Sequence, residues 1–327
     1  MLAPGRHGPL AIGGLRFDPP VTLTAAPGRP AILDSLRMTG SAGWRISGLT
    51  ILPAAARARD GPLVRIDNGT GIVLDRLTVA SAPDTAAWSA ARWVAAARNG
   101  VSLTGRDITL RNSLIRNIRH GIQTRAIGAR IERNTVDAFS GDGIRALGDN
   151  SVYAGNTIRT CVKVDANHDD GIQSWSTDAG GHVGKGVVRN VTIEANLIEN
   201  GHHRLACQLQ GIGLFDGFFQ NWTIRGNTVV VNHWHGITVM GGRHVRITGN
   251  LAVDSVPGPP GPPLDHHHRP QGRPPLEGLP DRWQHHPALG RRQPLAVPPA
   301  AARRPARRQP HRRNPRSRPR APPLTRA

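Results

Sequence analysis

Residues 129–146 read ARIERNTVDAFSGDGIRA, and this stretch contains the pattern that decides the fold: alternating apolar residues, an Asn, and then a polar-Gly-Ile step. The pattern occurs five times, with Asn at Asn112, Asn134, Asn156, Asn196 and Asn227 and Gly at Gly121, Gly143, Gly171, Gly211 and Gly236. Gly follows Asn after 9 residues in three copies and after 15 in two, which indicates insertions in one loop. The shortest period is 22 residues, and Asn250 begins a further copy.

Each repeat contains short runs in which apolar and polar residues alternate. In residues 191–195, for example, Val191, Ile193 and Ala195 lie on one side and polar residues on the other. Alternation with a period of two predicts strands, and no segment has helical spacing over ten residues. A period of 20 to 30 residues with several strands and no helix is typical of a β-solenoid. We therefore expect coils that stack at about 4.8 Å and bury columns of Ile, Val and Leu.

The repeats resemble the right-handed parallel β-helix of the pectate-lyase-like superfamily, over roughly residues 40–256. The strings NHDDGIQSW (167–175), LQGIGLFDG (209–217) and NHWHGITV (232–239) are similar to those of a group of bacterial β-helix proteins. The opening LAPGRHGPLAI resembles the first coil of such proteins, which a strand and a capping helix normally precede. The resemblance implies one all-β domain, a right-handed parallel β-helix over 1–256, with its first coil truncated.

The positive charge is concentrated at the C-terminal end. Residues 257–327 contain 15 Arg and three acidic residues, so +12 of the net charge of +20 lies there and +8 in the first 256 residues. A Pro- and Arg-rich composition predicts a disordered, low-complexity tail. We interpret it as the product of a frameshift in a GC-rich gene. The alternative is a genuine disordered tail that binds nucleic acid or membranes nonspecifically, so we expect no specific nucleic-acid partner.

Other features of the composition limit the remaining classes. Cys161 and Cys207 are the two cysteines, and they could pair or stay free. No run of about 18 apolar residues predicts a membrane span, and the N-terminus has no signal-peptide pattern. Relatives of this fold are often secreted or periplasmic, but the sequence does not indicate a location for this chain. We expect a monomer.

The residue before each Gly-Ile step forms a chemically unusual column. Its members are His120, Asp142, Asp170, Gln210 and His235. A repeated position favours a structural turn, but a structural column would more often be Asn or Ser. Stacking would place Asp142 and Asp170 about 5 Å apart, where two carboxylates share a proton or recruit a cation. Both a turn and a reactive site therefore remain open.

Two chemistries could use this column. Glycoside hydrolysis needs two carboxyl groups that flank the sugar bond. Asp169-Asp170 and His235-Gly236 resemble the Asp-Asp and His-Gly steps of pectin hydrolases of this fold, although the Asn-Thr-Asp element of that family is absent. Elimination at a uronate needs a base and a group that neutralises the carboxylate. The candidates for those roles are Lys163, Lys185, Arg145, His168 and His235.

A Ca²⁺ site and a substrate-binding surface complete the predicted site. Asp165, Asn167 and Asp169 follow the D-x-N-x-D spacing of hard-oxygen Ca²⁺ ligands, but Gly171 comes one place later than in an EF-hand loop. Trp175 could stack on a sugar ring or lie under a neighbouring loop. Gln173, Arg145 and Gln210 are the other predicted substrate-binding residues.

These observations predict a polysaccharide lyase or glycoside hydrolase that acts on an acidic, uronate-containing polysaccharide. The predicted catalytic residues are Asp142, Asp170 and His235, with His168 and Asp169 beside them. No cofactor other than Ca²⁺ is implied. The alternative is a β-helix without catalytic activity that binds glycans or serves as a rigid spacer.

Overall fold

The chain folds into a parallel β-helix in which each complete coil adds one strand to each of three sheets. The structure is a computed structural model, and it describes residues 1–255 and the backbone of 264–267. The predicted all-β fold class is confirmed. The tail predicted over 257–327 lies outside the described residues, apart from the strand Leu264–His267.

The strands form three long ladders and one short one within the described residues. Sheet 1 contains Gly5–Arg6, Ala31–Leu33, Thr50–Ile51, Thr78–Ala80, Leu114–Ile118, Thr135–Phe139, Thr157–Cys161, Leu197–Glu199, Thr228–Val231 and Leu251–Asp254. Sheet 2 contains Pro9–Gly13, Ser35–Thr39, Val64–Thr70, Val101–Arg106, Ile122–Thr124, Ile144–Ala146, Asp170–Ser174, Gln210–Leu214, His235–Val239 and Leu264–His267. Sheet 3 contains Arg16–Thr24, Ala42–Ser47, Val73–Asp75, Thr109–Arg111, Arg130–Glu132, Val152–Ala154, Thr192–Glu194, Thr223–Arg225 and Arg246–Thr248. Sheet 4 contains Val187–Arg189, Phe218–Gln220 and Gly242–Arg243.

The interior is a stack of aliphatic columns, as the alternation predicts. In sheet 2 the inward column consists of Ile122, Ile144, Ile172, Ile212 and Ile237, which are paired in register from coil to coil. Each of these side chains is at most 1% exposed. Complete burial of one such side chain contributes about 1.5–3 kcal/mol relative to exposure, so the columns supply the main stabilising term of the solenoid.

A buried ladder of Asn side chains connects the coils at the turn from sheet 3 to sheet 1. The backbone N–H groups of Asn134, Asn156 and Asn196 donate to Oδ1 of the Asn one coil on, at 2.9–3.0 Å. Each Nδ2 donates to the same Oδ1 and to a carbonyl oxygen of the preceding coil. Buried backbone groups at the turn therefore have partners in these coils, as such groups require.

The first predicted member of this ladder, Asn112, lies one residue out of register. Ser113 occupies the ladder position, since its N–H donates to Asn134 Oδ1 at 3.1 Å. Asn112 is exposed and adopts a left-handed φ of 53° in the preceding turn. Leu114 pairs with Thr135, so this coil advances by 21 residues rather than 22. Asn and Ser both suit turns, so the sequence pattern did not distinguish the two positions.

An insertion packs over the corner between sheets 1 and 2. It contains the helix Ala90–Ala96, and a 3-10 helix, Ala58–Asp60, lies in an earlier connection. Trp93 is fully buried in a cluster with Val162 and Leu205. The Arg204 guanidinium donates to the carbonyl oxygens of Ala86 and Trp88, so the insertion is joined to the loop after residue 200. No described helix is long and apolar enough to cross a membrane.

Cys161 and Cys207 form a disulfide, a pairing that the sequence left open. The bond joins the end of the sheet 1 strand Thr157–Cys161 to the loop before the sheet 2 strand Gln210–Leu214. The bond therefore links the loop that follows residue 161 to the loop that precedes residue 210, and both loops border the predicted site.

Replacing both cysteines by Ala is expected to lower the free energy of unfolding by about 2–4 kcal/mol, because the bond closes a loop across 46 residues. Urea unfolding of the variant and of the wild type, each with and without reductant, measures the difference. Reductant should destabilise only the wild type. Equal stability of the oxidised wild type and the variant would contradict this prediction.

Candidate functional site

The outer face of sheet 2 carries the candidate site. The outward positions of successive coils are in register along this face: Gln123, Arg145, Gln173, Gly213 and Thr238. Gly213 has no side chain, so it leaves a gap in this row. The glycines of the Gly-Ile steps are required by close packing between coils. A Cβ at Gly211 would lie 2.0 Å from the carbonyl oxygen of Gly236, and one at Gly143 would lie 2.6 Å from that of Gly171.

Asp142 lies in a buried cluster with a guanidinium group and an imidazole. Arg145 Nε donates to Asp142 Oδ2 at 2.6 Å, and Arg145 Nη2 lies 3.1 Å from His120 Nε2. Burial alone would raise the pKa of Asp142, but the hydrogen bond with His120 and the charge of Arg145 outweigh burial and lower it. Burial lowers the pKa of His120 despite its bond to Asp142. The cluster therefore combines an ionised carboxylate, a guanidinium ion and a neutral imidazole.

Asp170, on the next coil, differs from Asp142 in having no partner for its carboxyl group. Its side chain is fully buried, and neither carboxyl oxygen has a hydrogen-bond partner. Burial raises the pKa of Asp170 well above its usual range, and the charges of Asp142 and Asp169 add to the shift. Its backbone N–H lies 3.4 Å from Asp142 Oδ1. The column therefore places a carboxyl group with a raised pKa beside one with a lowered pKa.

The residues of the predicted Ca²⁺ site form ion pairs and hydrogen bonds instead. Lys163 Nζ lies 2.9 Å from Asp169 Oδ2, and Arg119 Nη2 lies 3.2 Å from Asp165 Oδ2. Asn167 turns its amide nitrogen, not its oxygen, toward Asp169 Oδ1, at 3.3 Å. This arrangement does not fit Ca²⁺, which takes six to eight oxygen ligands.

One group of three metal-ligating side chains occurs in the described residues, and it consists of Cys161, Asp169 and Cys207. The two sulfur atoms form the disulfide, so they are not thiolate ligands. Burial raises the pKa of Asp169, and the bond from Lys163 partly offsets this effect.

Trp175 and two arginines form the solvent-facing part of the site. The Arg145 guanidinium lies 5.3 Å from the centre of the Trp175 ring, and that of Arg125 lies 5.8 Å from it. Both distances are in the range of cation–π contacts. Trp175 and Arg145 are half-buried and Arg125 is exposed, so this surface combines an aromatic ring with positive charge.

His235 and Gln210 lie farther along the same face. His235 Nδ1 is 2.9 Å from Thr238 Oγ1, and the ring centre is 5.2 Å from that of Phe215. Gln210 is the cross-strand partner of Asp170, and its buried Oε1 has no partner. His235 is thus separated from Asp170 by the coil of Gln210, as the order of the repeats predicts.

The remaining sequence candidates lie in loops at the edge of this face. His168 is exposed. Burial is the main cause of the lowered pKa of His233, and the charge of His168 is the second cause. Lys185 is exposed in the connection that follows Trp175. The structure therefore groups Asp142, Asp170 and Arg145 closely, with His168 and Lys185 outside that group.

The sequence did not single out two residues of the site. His120 belongs to the predicted column, and its place above Asp142 could have identified it as a partner. Phe215 lies in the string LQGIGLFDG but outside the column, and its position over Gly213 depends on the turn after the strand. Nothing in the repeat pattern distinguished Phe215 from the other aromatic residues of this segment.

Comparisons with known proteins agree with the observed architecture. Residues 99–252 match a family model described as a right-handed beta helix region. The structure is similar to that of an alginate lyase from Paenibacillus sp. str. FPU-7, with 15% identity, a TM-score of 0.42, and coverage of 76% of this chain and 91% of that chain. It is also similar to the A-module of the mannuronan C-5 epimerase AlgE6 from Azotobacter vinelandii, with 11% identity, a TM-score of 0.42, and coverage of 83% and 90%. No curated protein sequence matches significantly. The chain is therefore a right-handed parallel β-helix protein.

Proposed function

We propose that this protein binds an acidic polysaccharide along the outer face of sheet 2 and cleaves it beside a uronate residue by β-elimination. One observation carries the proposal: Arg145 joins the buried Asp142 and the neutral His120 to the half-exposed ring of Trp175. This arrangement places a cation one coil away from a base on one side and one coil away from an aromatic surface on the other.

Binding follows from the chemistry of the exposed groups. The apolar face of a pyranose ring can stack on Trp175, as sugar rings do on aromatic side chains. The Arg125 and Arg145 guanidinium groups can pair with a uronate carboxylate through two parallel hydrogen bonds. The net charge of +8 in the first 256 residues agrees with an anionic ligand.

The elimination step requires one proton to leave carbon and one oxygen to depart. When Arg145 turns to the uronate carboxylate it releases His120 Nε2, and this nitrogen accepts the proton from the carbon that bears the carboxylate. Arg145 neutralises that carboxylate and stabilises the charge that develops on it. The electron pair of the broken C–H bond forms the new C=C bond as the C–O bond to the next sugar breaks. Asp142 is a positioning residue that holds both side chains.

Glycoside hydrolysis is the second candidate, because one observation favours it. Asp142 and Asp170 lie on adjacent coils, and their pKa values shift in opposite directions. Such a pair is suited to a general base and a general acid. Both carboxyl groups are buried, however, whereas Arg145 reaches the surface, so elimination is the better-supported chemistry.

The experiment is an incubation of the full chain with pectate, alginate and glycosaminoglycans, each with added Ca²⁺ or with a chelator. Elimination creates an unsaturated uronate, so ultraviolet absorbance and new reducing ends should rise together. Reducing ends without absorbance would indicate a hydrolase. If neither signal rises with folded protein, the protein is a β-helix without this catalytic activity, and the proposal fails.

Trp175→Ala is expected to raise KM on the best substrate about two- to tenfold, because loss of an aromatic contact costs roughly 0.5–1.5 kcal/mol. The maximal rate should change less than KM. Trp44→Ala is the matched control, since Trp44 is a half-buried Trp that packs on Phe17 near the N-terminus. Equal KM values for the two variants would contradict a sugar-binding role for Trp175.

A further inference from the structure

The outward row of side chains on sheet 2 is interrupted at Gly213, and the ring of Phe215 fills the gap. An ideal Cβ at residue 213 would lie 2.1 Å from Phe215 Cε2 and 2.7 Å from its Cζ. The flanking coils carry Gln173 and Thr238 at the corresponding positions. Gly213 therefore leaves a recess on the sheet that is one coil wide, and the Phe215 ring occupies it.

Asp170 forms the floor of this recess. The same ideal Cβ at Gly213 would lie 2.8 Å from Asp170 Oδ1, so the carboxyl group and the Phe215 ring border one point in space. Asp170 is fully buried, and both of its oxygens lack partners. Buried polar groups without partners are rare in native structures, and a catalytic role is one of the explanations for them.

The backbone around Phe215 is hydrogen-bonded to the preceding coil, so among the described residues the ring is the part that can move to uncover the recess. Phe215 N–H donates to Ser174 O at 3.3 Å, and Ser176 N–H donates to Asp216 O at 2.9 Å. Gly217, with a φ of 149°, packs so closely that a Cβ would lie 2.0 Å from Ser176 Oγ. The Phe215 ring itself is half-exposed and contacts His235 edge-on. A rotamer change of such a side chain is fast and needs no rearrangement of the coil.

We infer that Phe215 is a gate: the six-membered ring of a hexuronate residue replaces the phenyl ring above Gly213, and Asp170 then donates its proton to the departing glycosidic oxygen. This inference rests on the proposed function, because the departing oxygen is that of the β-elimination. When the C–O bond breaks, its electron pair stays on the oxygen, and this oxygen takes the proton of Asp170. His120 holds the proton removed from carbon. Transfer of that proton to Asp170 through water restores both groups.

Modification by a water-soluble carbodiimide and an amine, read at each carboxyl group by mass spectrometry, tests the gate without any polysaccharide. Phe215→Ala should label Asp170 at least ten times faster than the wild type. Phe218→Ala is the matched control, because Phe218 is a half-buried Phe three residues on that belongs to sheet 4. It should leave Asp170 protected.

Phe215→Val provides a second variant, since its smaller side chain cannot fill the space above Gly213 that the phenyl ring occupies. It should also accelerate labelling of Asp170, while the buried Asp75 stays protected in all proteins. Protection of Asp170 in both variants, or equal labelling of Asp75 and Asp170, would overturn the gate. Labelling of Asp170 without activity on any polymer would retain the gate and reject the proposed function.

Discussion

Asn196→Leu is expected to lower the free energy of unfolding by about 3–5 kcal/mol, since each buried polar group left without a partner costs roughly 1–3 kcal/mol. Asn196 Oδ1 accepts from the N–H and Nδ2 of Asn156, each at 2.9 Å. Its Nδ2 donates to Tyr153 O and to Asn227 Oδ1, also at 2.9 Å. Leu has a similar volume but can satisfy none of these groups.

Chemical denaturation of the wild type and the variant measures this effect. Asn190→Gly is the control, because Asn190 is exposed in a second Asn ladder, with Asn150 and Asn221, and has a left-handed φ of 58° that Gly adopts freely. The control should change stability by about 0.5 kcal/mol or less. Similar losses in both variants would contradict the structural role of the buried ladder.

Asp170→Asn is expected to stabilise the fold by about 1–3 kcal/mol at pH 8, because Asn cannot ionise in the unfolded chain, whereas ionisation of Asp170 there favours unfolding. The pKa of Asp170 is raised in the folded state, so the unfolded chain releases this proton first as the pH rises. Wild-type stability therefore falls as the pH rises above about 4, the unfolded value, until it reaches the folded pKa. The stabilisation should be small at pH 4 and grow with pH.

Asp142→Asn is the matched control with the opposite sign. The pKa of Asp142 is lowered in the folded state, so its ionisation contributes stability that is present above the unfolded pKa and is lost as the pH falls through the folded pKa. This variant also leaves Arg145 without its carboxylate partner, so its free energy of unfolding should be about 3–5 kcal/mol lower than that of the wild type at pH 8. Urea unfolding at pH 4 and pH 8 measures both variants. A lower free energy of unfolding for Asp170→Asn than for the wild type at pH 8 would contradict the raised pKa of Asp170.

The sequence predicted the coils because their determinants are local. The alternation of Ile, Val and Leu and the Gly-Ile step recur in each coil, and each Gly is required by contact with the next one. The same pattern predicted the columns of Asn and of residues such as Asp142 and Asp170. Its one error of register, Asn112 for Ser113, occurred where two turn-forming residues are adjacent.

The insertions could not be predicted because their contacts depend on how loops of different coils meet. The Cys161–Cys207 bond and the Arg119–Asp165 ion pair join different coils, whereas the pair of Lys163 with Asp169 and the position of Phe215 depend on the path of a single loop. The spacing of Asp165, Asn167 and Asp169 suggested a metal site, but no local pattern revealed that Lys163 and Arg119 would pair with the two carboxylates. The repeat thus predicts the coil that holds a residue, but not what covers it.

The most direct test of acidic-polysaccharide cleavage on sheet 2 is the initial rate of Arg145→Gln on the polymer that the wild type degrades fastest. Arg130→Gln is the control, because Arg130 is an exposed arginine that pairs with Glu132 on sheet 3. Loss of a group that stabilises developing charge costs about 100- to 1,000-fold, so kcat/KM should fall by that factor for Arg145→Gln and stay unchanged for Arg130→Gln. Wild-type activity in Arg145→Gln would contradict the account.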